Sequence, residues 1–277
     1  MSDILVSTDW AIEHLKDADK RFVEVDVDTT QYEQGHLPGA VAFNWQSQLQ
    51  DQVARDIISK DEFEKLLSEA GITPDTTVVL YGDNNNWFAA YALWLFQYYG
   101  HEKVKLVDGG RKKLVAEERQ LIAHVPSYPK TDYKVTKTNP ELRADRDYIK
   151  QRLGKGDFKL IDVRSNPEFV GDIIAPPGMT ETAQRPGHIP GAKNVPWATA
   201  VKEDGTFKSV EDLKQIYGGK GITEDGDTVA YCRIGERSSH TWFVLKYLLG
   251  VKNVRNYDGS WTEWGNLIGA PIVKGGE

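Results

Sequence analysis

The sequence predicts an α/β protein of two tandem domains, each a parallel sheet with helices on both faces. Three observations carry that expectation. The chain repeats itself, short β-branched runs alternate with helical patterns in both copies, and 277 residues suit two domains at roughly 100–200 residues each. The repeat is long and degenerate. Phe22-Val-Glu-Val-Asp26-Val-Asp28 is echoed by Leu160-Ile-Asp162-Val-Arg164, and Gly35-His36-Leu37-Pro38-Gly39-Ala40 by Gly187-His188-Ile189-Pro190-Gly191-Ala192. A Trp follows each copy, Trp45 or Trp197. Thr76-Thr-Val-Val-Leu-Tyr81 parallels Asp227-Thr-Val-Ala-Tyr-Cys232, which sets Tyr81 opposite Cys232, and Val107-Asp108-Gly109-Gly110 parallels Tyr257-Asp258-Gly259-Ser260. These matches keep their order at a nearly constant offset of about 150 residues, so the chain is a duplication.

Each half opens with a β-branched run ending at an acidic residue, then a Gly/Pro turn and an amphipathic stretch. A second apolar strand follows (Val78 to Tyr81; Val229 to Tyr231) and runs into a helical pattern. Those helices read Trp87 to Tyr99 and Ser238 to Leu249, the latter capped by Ser238 or Ser239. Gly100 and Gly250 close them in left-handed C-caps. Strand–helix alternation gives a parallel sheet covered on both faces, with ligands at the carboxyl ends of its strands. Residues 124–142, with Pro126, Pro129 and Pro140, have neither period and read as a linker between domains at 1–123 and 143–277. The second half carries an insertion of some 16 residues, Gly171 to Pro186, which reads either as a loop leaning over a site or as an ordinary surface excursion.

With 34 Lys and Arg against 41 Asp and Glu the net charge is −7, which argues against a nucleic-acid partner. Hydrophobic residues make up 40% and charged residues 27%, a globular composition. The longest apolar run, Trp87 to Phe96, falls short of the ~20 residues needed to cross a bilayer, and Met1-Ser2-Asp3-Ile4 lacks the order of a signal peptide. No membrane association is expected. One cysteine excludes an intrachain disulfide and fits a reducing compartment, the cytoplasm. Six scattered His and that Cys show no metal-ligand spacing, and there is no convincing nucleotide loop, so no cofactor is expected.

That cysteine is the focus of the chemistry. Cys232-Arg233-Ile234-Gly235-Glu236-Arg237-Ser238 joins a strand end to a helix start. A thiolate is the reactive form, and a free thiol with pKa ~8.5 is mostly protonated at neutral pH. A helix N-terminus and two Arg flanking one Glu predict a lowered thiol pKa, and Gly235 permits a curl that aims successive N–H groups at an anion. Protein phosphatases use a Cys-x5-Arg loop, but Arg237 stands five places after Cys232 rather than six. The smaller pocket suits one extra sulfur atom and is too tight for phosphate. One active site per chain is expected, since the Tyr81 segment has neither thiol nor cation.

The residues resemble a known family at this point. Tyr32-x3-His36-Leu37-Pro38-Gly39-Ala40-x2-Phe43 and Val254-x2-Tyr257-Asp258-Gly259-Ser260-Trp261-x-Glu263-Trp264 resemble the two signatures of the tandem-domain rhodaneses, the thiosulfate sulfurtransferases. The loop is similar to that of the bacterial branch with Cys-Arg-x-Gly-Glu-Arg. The resemblance implies two rhodanese-like domains, each a five-stranded parallel sheet with helices on both faces, catalysis only in the second, and a ping-pong reaction. Cys232 would take the sulfane sulfur of thiosulfate, release sulfite, and pass sulfur from its persulfide to cyanide or a thiol, including a protein acceptor. It also implies a cradle of backbone N–H groups over Arg233, Ile234, Gly235, Glu236, Arg237 and Ser238, with Arg237 binding the donor's sulfonate, or else paired structurally with Glu236 or a neighbouring carboxylate, and Arg233 as second candidate. Where the animal enzymes carry a loop Lys this chain has Ile234, and where they carry a further Arg it has Glu168. Arg164 reads as a structural partner of Asp162. His36, His188, Asp26, Asp162, Asp108 and Asp258 recur in both halves and read as architecture. Two alternatives remain open: 3-mercaptopyruvate as donor, against which Arg233 speaks, and a non-enzymatic persulfide carrier.

Overall fold

The structure is a computed structural model that describes residues 3–179 and 182–276. It divides into two compact units, Met1–Pro140 with Lys202–Phe207 and Glu141–Val201 with Lys208–Glu277. The first holds strands β1 (Leu5–Val6), β2 (Lys20–Asp26), β3 (Val41–Asn44), β4 (Thr77–Tyr81) and β5 (Val104–Val107) in one sheet of order β1-β5-β4-β2-β3. Every pairing is parallel. Val78 to Tyr81 is wholly buried, as a central parallel strand covered on both faces must be. The helix Trp87–Tyr98 buries Phe88 through Phe96; a helix apolar on every side belongs in a core. It ends in the expected left-handed glycine, Gly100 at φ 75°.

The second unit has β6 (Phe158–Asp162), β7 (Lys193–Asn194), β8 (Asp227–Tyr231) and β9 (Asn253–Tyr257), all parallel, in the order β7-β6-β8-β9. Among the described residues four strands are formed where the resemblance implies five. Beside β9, the place that β1 takes beside β5, there is a single parallel bridge from Arg143 to Asn256, with Ala144 N–H on Asn256 O at 2.9 Å. The edge stops there because Asp145 already caps the helix Arg146–Lys150, accepting Tyr148 N–H at 2.6 Å, and the chain turns away.

Unit by unit, the two repeated histidines do the same structural work. His36 Nδ1 donates to Tyr32 O at 2.8 Å and its ring stacks on Tyr32 at 3.8 Å. His188 Nδ1 donates to Phe169 O at 2.9 Å and stacks on Phe169 at 3.7 Å. Arg164 forks onto Asp162 (Nη2–Oδ2 2.6 Å), fully buried, as expected. The two Gly-flanked aspartates diverge: Asp108 accepts Phe207 N–H at 2.9 Å, whereas Asp258 takes the Arg143 guanidinium at 2.8 and 2.9 Å.

One alignment between the halves is corrected. Tyr81 Oη accepts Leu37 N–H at 3.0 Å, and Tyr231 Oη accepts Ile189 N–H at 3.2 Å. Tyr81 is therefore the counterpart of Tyr231, and Cys232 corresponds to Gly82. The sequence match slipped by one residue, a slip that exchanges the two faces of a strand. A Cβ on Gly82 would lie 2.3 Å from Val25 O, so the first unit has no room for a side chain at the nucleophile position.

Candidate active site

Cys232 follows β8 directly, at its carboxyl end, and is fully buried. Its amide donates to Ser260 Oγ at 3.0 Å, Ser260 Oγ–H goes to Tyr257 O at 2.7 Å, and Ser260 Oγ lies 3.9 Å from Sγ. Trp261 N–H and Thr262 N–H close on Cys232 O and Arg233 O at 3.1 and 3.0 Å. The loop is thus stitched to the segment after β9 along its length. Ser260 adopts φ 52°, and Gly110, at the matching place in the first unit, adopts 55°. A side chain in that region costs ~1–2 kcal/mol, so the hydroxyl is kept against a backbone penalty.

The loop curls through Gly235 at φ 103°, where a Cβ would meet Asp258 Cα and O at 3.0 Å; only glycine fits both the angle and the space. The curl turns Gly235 N–H onto Cys232 Sγ at 3.1 Å. The helix begins here, at Glu236–Phe243, and continues as a π-helical turn over Val244–Leu248. The start two residues before Ser238 corrects the expected cap. Ser238 Oγ–H instead reaches Asn256 Oδ1 at 2.7 Å, and Ser239 Oγ–H reaches Gly235 O at 2.7 Å. Asn256 Nδ2 donates to Ser239 Oγ at 2.8 Å, so these hydroxyls fasten the loop to β9 rather than capping the helix.

The charges are arranged differently from the sequence expectation. Glu236 is almost fully buried, with Oε2 3.4 Å from Cys232 Sγ and Oε1 3.5 Å from Arg237 Nε. Arg237 forks onto Glu168, Nη1–Oε2 and Nη2–Oε1 both 3.1 Å. Glu168 is itself fixed by Ser165, whose N–H and Oγ–H donate to it at 3.0 and 2.8 Å. Burial would raise Glu168, but Arg237 and Ser165 hold it below the usual carboxylate value. Burial opposes the charge on Arg237, yet Glu236, Cys232 and Glu168 together hold that guanidinium above its ordinary value. At Cys232, burial and then the Glu236 carboxylate push the thiol up, against Arg237 and Ser238. The lowered thiol expected from two Arg and a helix end is therefore reversed: the thiol lies out of water, and the Glu236 carboxylate raises it more than Arg237 lowers it.

Arg233 is largely buried and sets Nη2 3.3 Å from Met179 Sδ. Met179 belongs to the 171–186 insertion, of which residues 180 and 181 lie outside the described residues. The rest is anchored within the unit: Arg185 donates to the carbonyls of Trp264, Gly265, Leu267 and Ala270, and Gln184 N–H to Asn266 Oδ1. Ile234 is buried. The loop residues named from the sequence thus come together around one sulfur. Sequence reasoning missed Ser260, Asn256, Glu168 as the particular carboxylate paired with Arg237, and the contact of Glu236 with the sulfur; the one advance signal was Ser260 replacing Gly110 in the repeat.

The rhodanese-like domain family matches the chain twice, over residues 7–117 and 145–267. The chain belongs to the rhodanese-like family. This rhodanese-like chain is 55% identical, over 99% of its own length and 97% of the relative's, to a Haloferax volcanii protein named "Putative thiosulfate sulfurtransferase". It is 56% identical to the sulfur carrier protein TtuD of Thermus thermophilus, over 99% and 98% of the two chains. Among solved structures, an EanB variant carrying a cysteine persulfide, in a tetrahedral intermediate state with ergothioneine, superposes with TM-score 0.86 at 25% identity, covering 99% of this chain and 71% of that one. YnjE superposes with TM-score 0.88 at 25% identity, covering 99% and 69%. A sulfurtransferase chemistry follows from the family and its close relatives. Among the described residues no helix is long and apolar enough to cross a membrane.

Proposed function

We propose that this rhodanese-like chain is a thiosulfate sulfurtransferase working by a ping-pong cycle through a persulfide on Cys232. The observation that carries this reading is the placement of one thiol at the carboxyl end of β8, with Gly235 N–H 3.1 Å from its sulfur. An N–H already aimed at Sγ stabilises negative charge on sulfur without reorganisation. In the cycle Cys232 attacks the sulfane sulfur of thiosulfate, sulfite departs, and cyanide or a thiol, free or on a protein, takes the outer sulfur. The loop from Arg233 to Ser238 cradles the persulfide. Arg237 supplies its charge through space while held by Glu168, and Arg233, beside Met179, meets the donor's sulfonate. The low cysteine content fits work in the cytoplasm.

A second reading, a persulfide carrier that loads sulfur and releases it only to a docked partner, is favoured by the 56% identity to a sulfur carrier protein. Purified protein mixed with thiosulfate and cyanide distinguishes the two. Steady thiocyanate formation that disappears in Cys232→Ser supports the enzyme. A single added sulfur on Cys232 with no turnover supports the carrier. Neither turnover nor loading from any persulfide donor would overturn both.

A further inference from the structure

We propose that Glu236 is a catalytic residue of this site: it takes the Cys232 thiol proton when the sulfane sulfur is loaded, holds it through the persulfide stage, and returns it when sulfur is delivered. The inference rests on the Cys232 persulfide reading and extends it. Its basis is geometric. Cys232 Sγ and Glu236 Oε2 lie 3.4 Å apart across the curled loop, with the thiol fully buried and the carboxylate nearly so. Gly235 N–H occupies another side of the same sulfur at 3.1 Å, and an N–H donor cannot receive the thiol proton. Among the described residues, the other charged groups around this pair are Arg237 and Arg233, which carry no acceptor, Glu168, committed to Arg237 and Ser165, and the Asp258–Arg143 pair packed against Gly235. A general base must stand within hydrogen-bond reach of the proton it removes, and Glu236 does.

The electron and charge balance favours the same assignment. In loading, the Sγ–H proton moves to Glu236 Oε2, Sγ bonds to the sulfane sulfur, and the bond from sulfane to sulfonate sulfur breaks, its electron pair leaving with sulfite. The pair of groups carries one negative charge before, on Glu236, and one after, on the persulfide. Without the transfer, a persulfide anion and a carboxylate would share a buried site, an arrangement that like charges disfavour. With it, the protonated carboxyl donates a hydrogen bond toward the persulfide. In delivery the acceptor anion attacks the outer sulfur, the sulfur–sulfur bond breaks toward Sγ, and Glu236 reprotonates Cys232.

The test is single-turnover sulfur loading from thiosulfate, read as sulfite release and as mass gained on Cys232, between about pH 6 and pH 9 for the full chain and its Glu236→Gln and Glu236→Asp variants. A lone thiol with pKa ~8.5 loses its thiolate tenfold per pH unit below that value. Wild-type loading is expected to stay level down to about pH 6. Glu236→Gln should load about a hundredfold slower at neutral pH and recover tenfold per unit as pH rises, while Glu236→Asp keeps part of the level profile. Equal iodoacetamide alkylation of Cys232 at high pH certifies an intact loop in the variants, and if Glu236→Gln does not fold, the wild-type and Asp profiles decide. Loading by Glu236→Gln as fast as wild type at neutral pH would show a carboxylate that merely repels the thiolate, and would overturn the inference alone. A wild-type rate that falls tenfold per unit below the thiol range does the same. A wild-type chain that takes up no sulfur removes the persulfide reading and this inference with it.

Discussion

Arg237 and Glu168 meet in a fork, both guanidinium terminal nitrogens 3.1 Å from the two carboxylate oxygens, inside the wall of the Cys232 loop. The loop's conspicuous cation is thus half spent before any donor arrives. Removing one partner from a buried pair costs ~3–5 kcal/mol, because the other charge is left uncompensated. Glu168→Gln is expected to lower unfolding stability by about 3 kcal/mol while keeping the turn at Ser165, since Gln serves a capping box as well as Glu. The freed guanidinium should lower KM for thiosulfate. Denaturant unfolding beside steady-state kinetics checks both, and an unchanged KM would show that the charge of Arg237 does not act on the donor.

Ser260 makes a sharper stability prediction. It holds the Cys232 amide at 3.0 Å from a backbone at φ 52°. Ser260→Ala keeps the strained angle and orphans the buried amide, so it should cost about 2 kcal/mol. Ser260→Gly orphans the same amide but relieves the angle, and the two effects should nearly cancel. Both variants should load sulfur more slowly than wild type. Thermal unfolding of the pair isolates the backbone contribution: equal losses for Ala and Gly would mean that the angle carries no strain.

Much of this was legible in the sequence. The α/β duplication, the core helix at Trp87–Tyr98, the architectural histidines and the Asp162–Arg164 pair follow from periodicity and repetition, which local chemistry imposes on any fold. Glu168 was not legible as the partner of Arg237, because 69 positions separate them and only the sheet brings the two strand-end loops together. The sign of the Cys232 shift was lost for a related reason. Counting two Arg against one Glu weighs charges by number, whereas the thiol responds to distance and burial, and Glu236 is the charge in contact with it. The slip between Tyr81 and Cys232 came from matching apolar runs, in which one residue more or less leaves the pattern almost unchanged.

That slip bears on the number of sites per chain. Because Gly82, not Tyr81, stands where Cys232 does, and Val25 O blocks any Cβ there at 2.3 Å, a second nucleophile cannot be restored by one substitution. Full loading should add one sulfur per chain by mass, and none in Cys232→Ser. Gly82→Cys should destabilise the first unit by at least about 1–3 kcal/mol through overpacking and add no second persulfide. Two sulfurs on that variant would show that the strand end yields more readily than its contacts imply.

Asp26, at the end of β2, gives the clearest dependence on pH. Burial, against the Asp83 N–H it accepts at 2.6 Å and reinforced by the neighbouring Glu24 carboxylate, pushes it up to about 8 from 3.8. A carboxyl whose folded pKa lies above its unfolded value binds its proton more tightly when folded. Its effect on stability is therefore neutral below about pH 4, turns progressively unfavourable as pH rises from about 4 toward about 8, and stays constant above. Asp26→Asn removes the ionisation while keeping an oxygen for Asp83 N–H and placing an amide donor toward Glu24. The variant should be more stable than wild type at about pH 8, with a margin that shrinks to nothing as pH falls to about 4. Urea unfolding of both chains across that range measures the margin directly. A margin that grows toward acid would mean that Asp26 is ionised in the folded chain and held by the Asp83 amide.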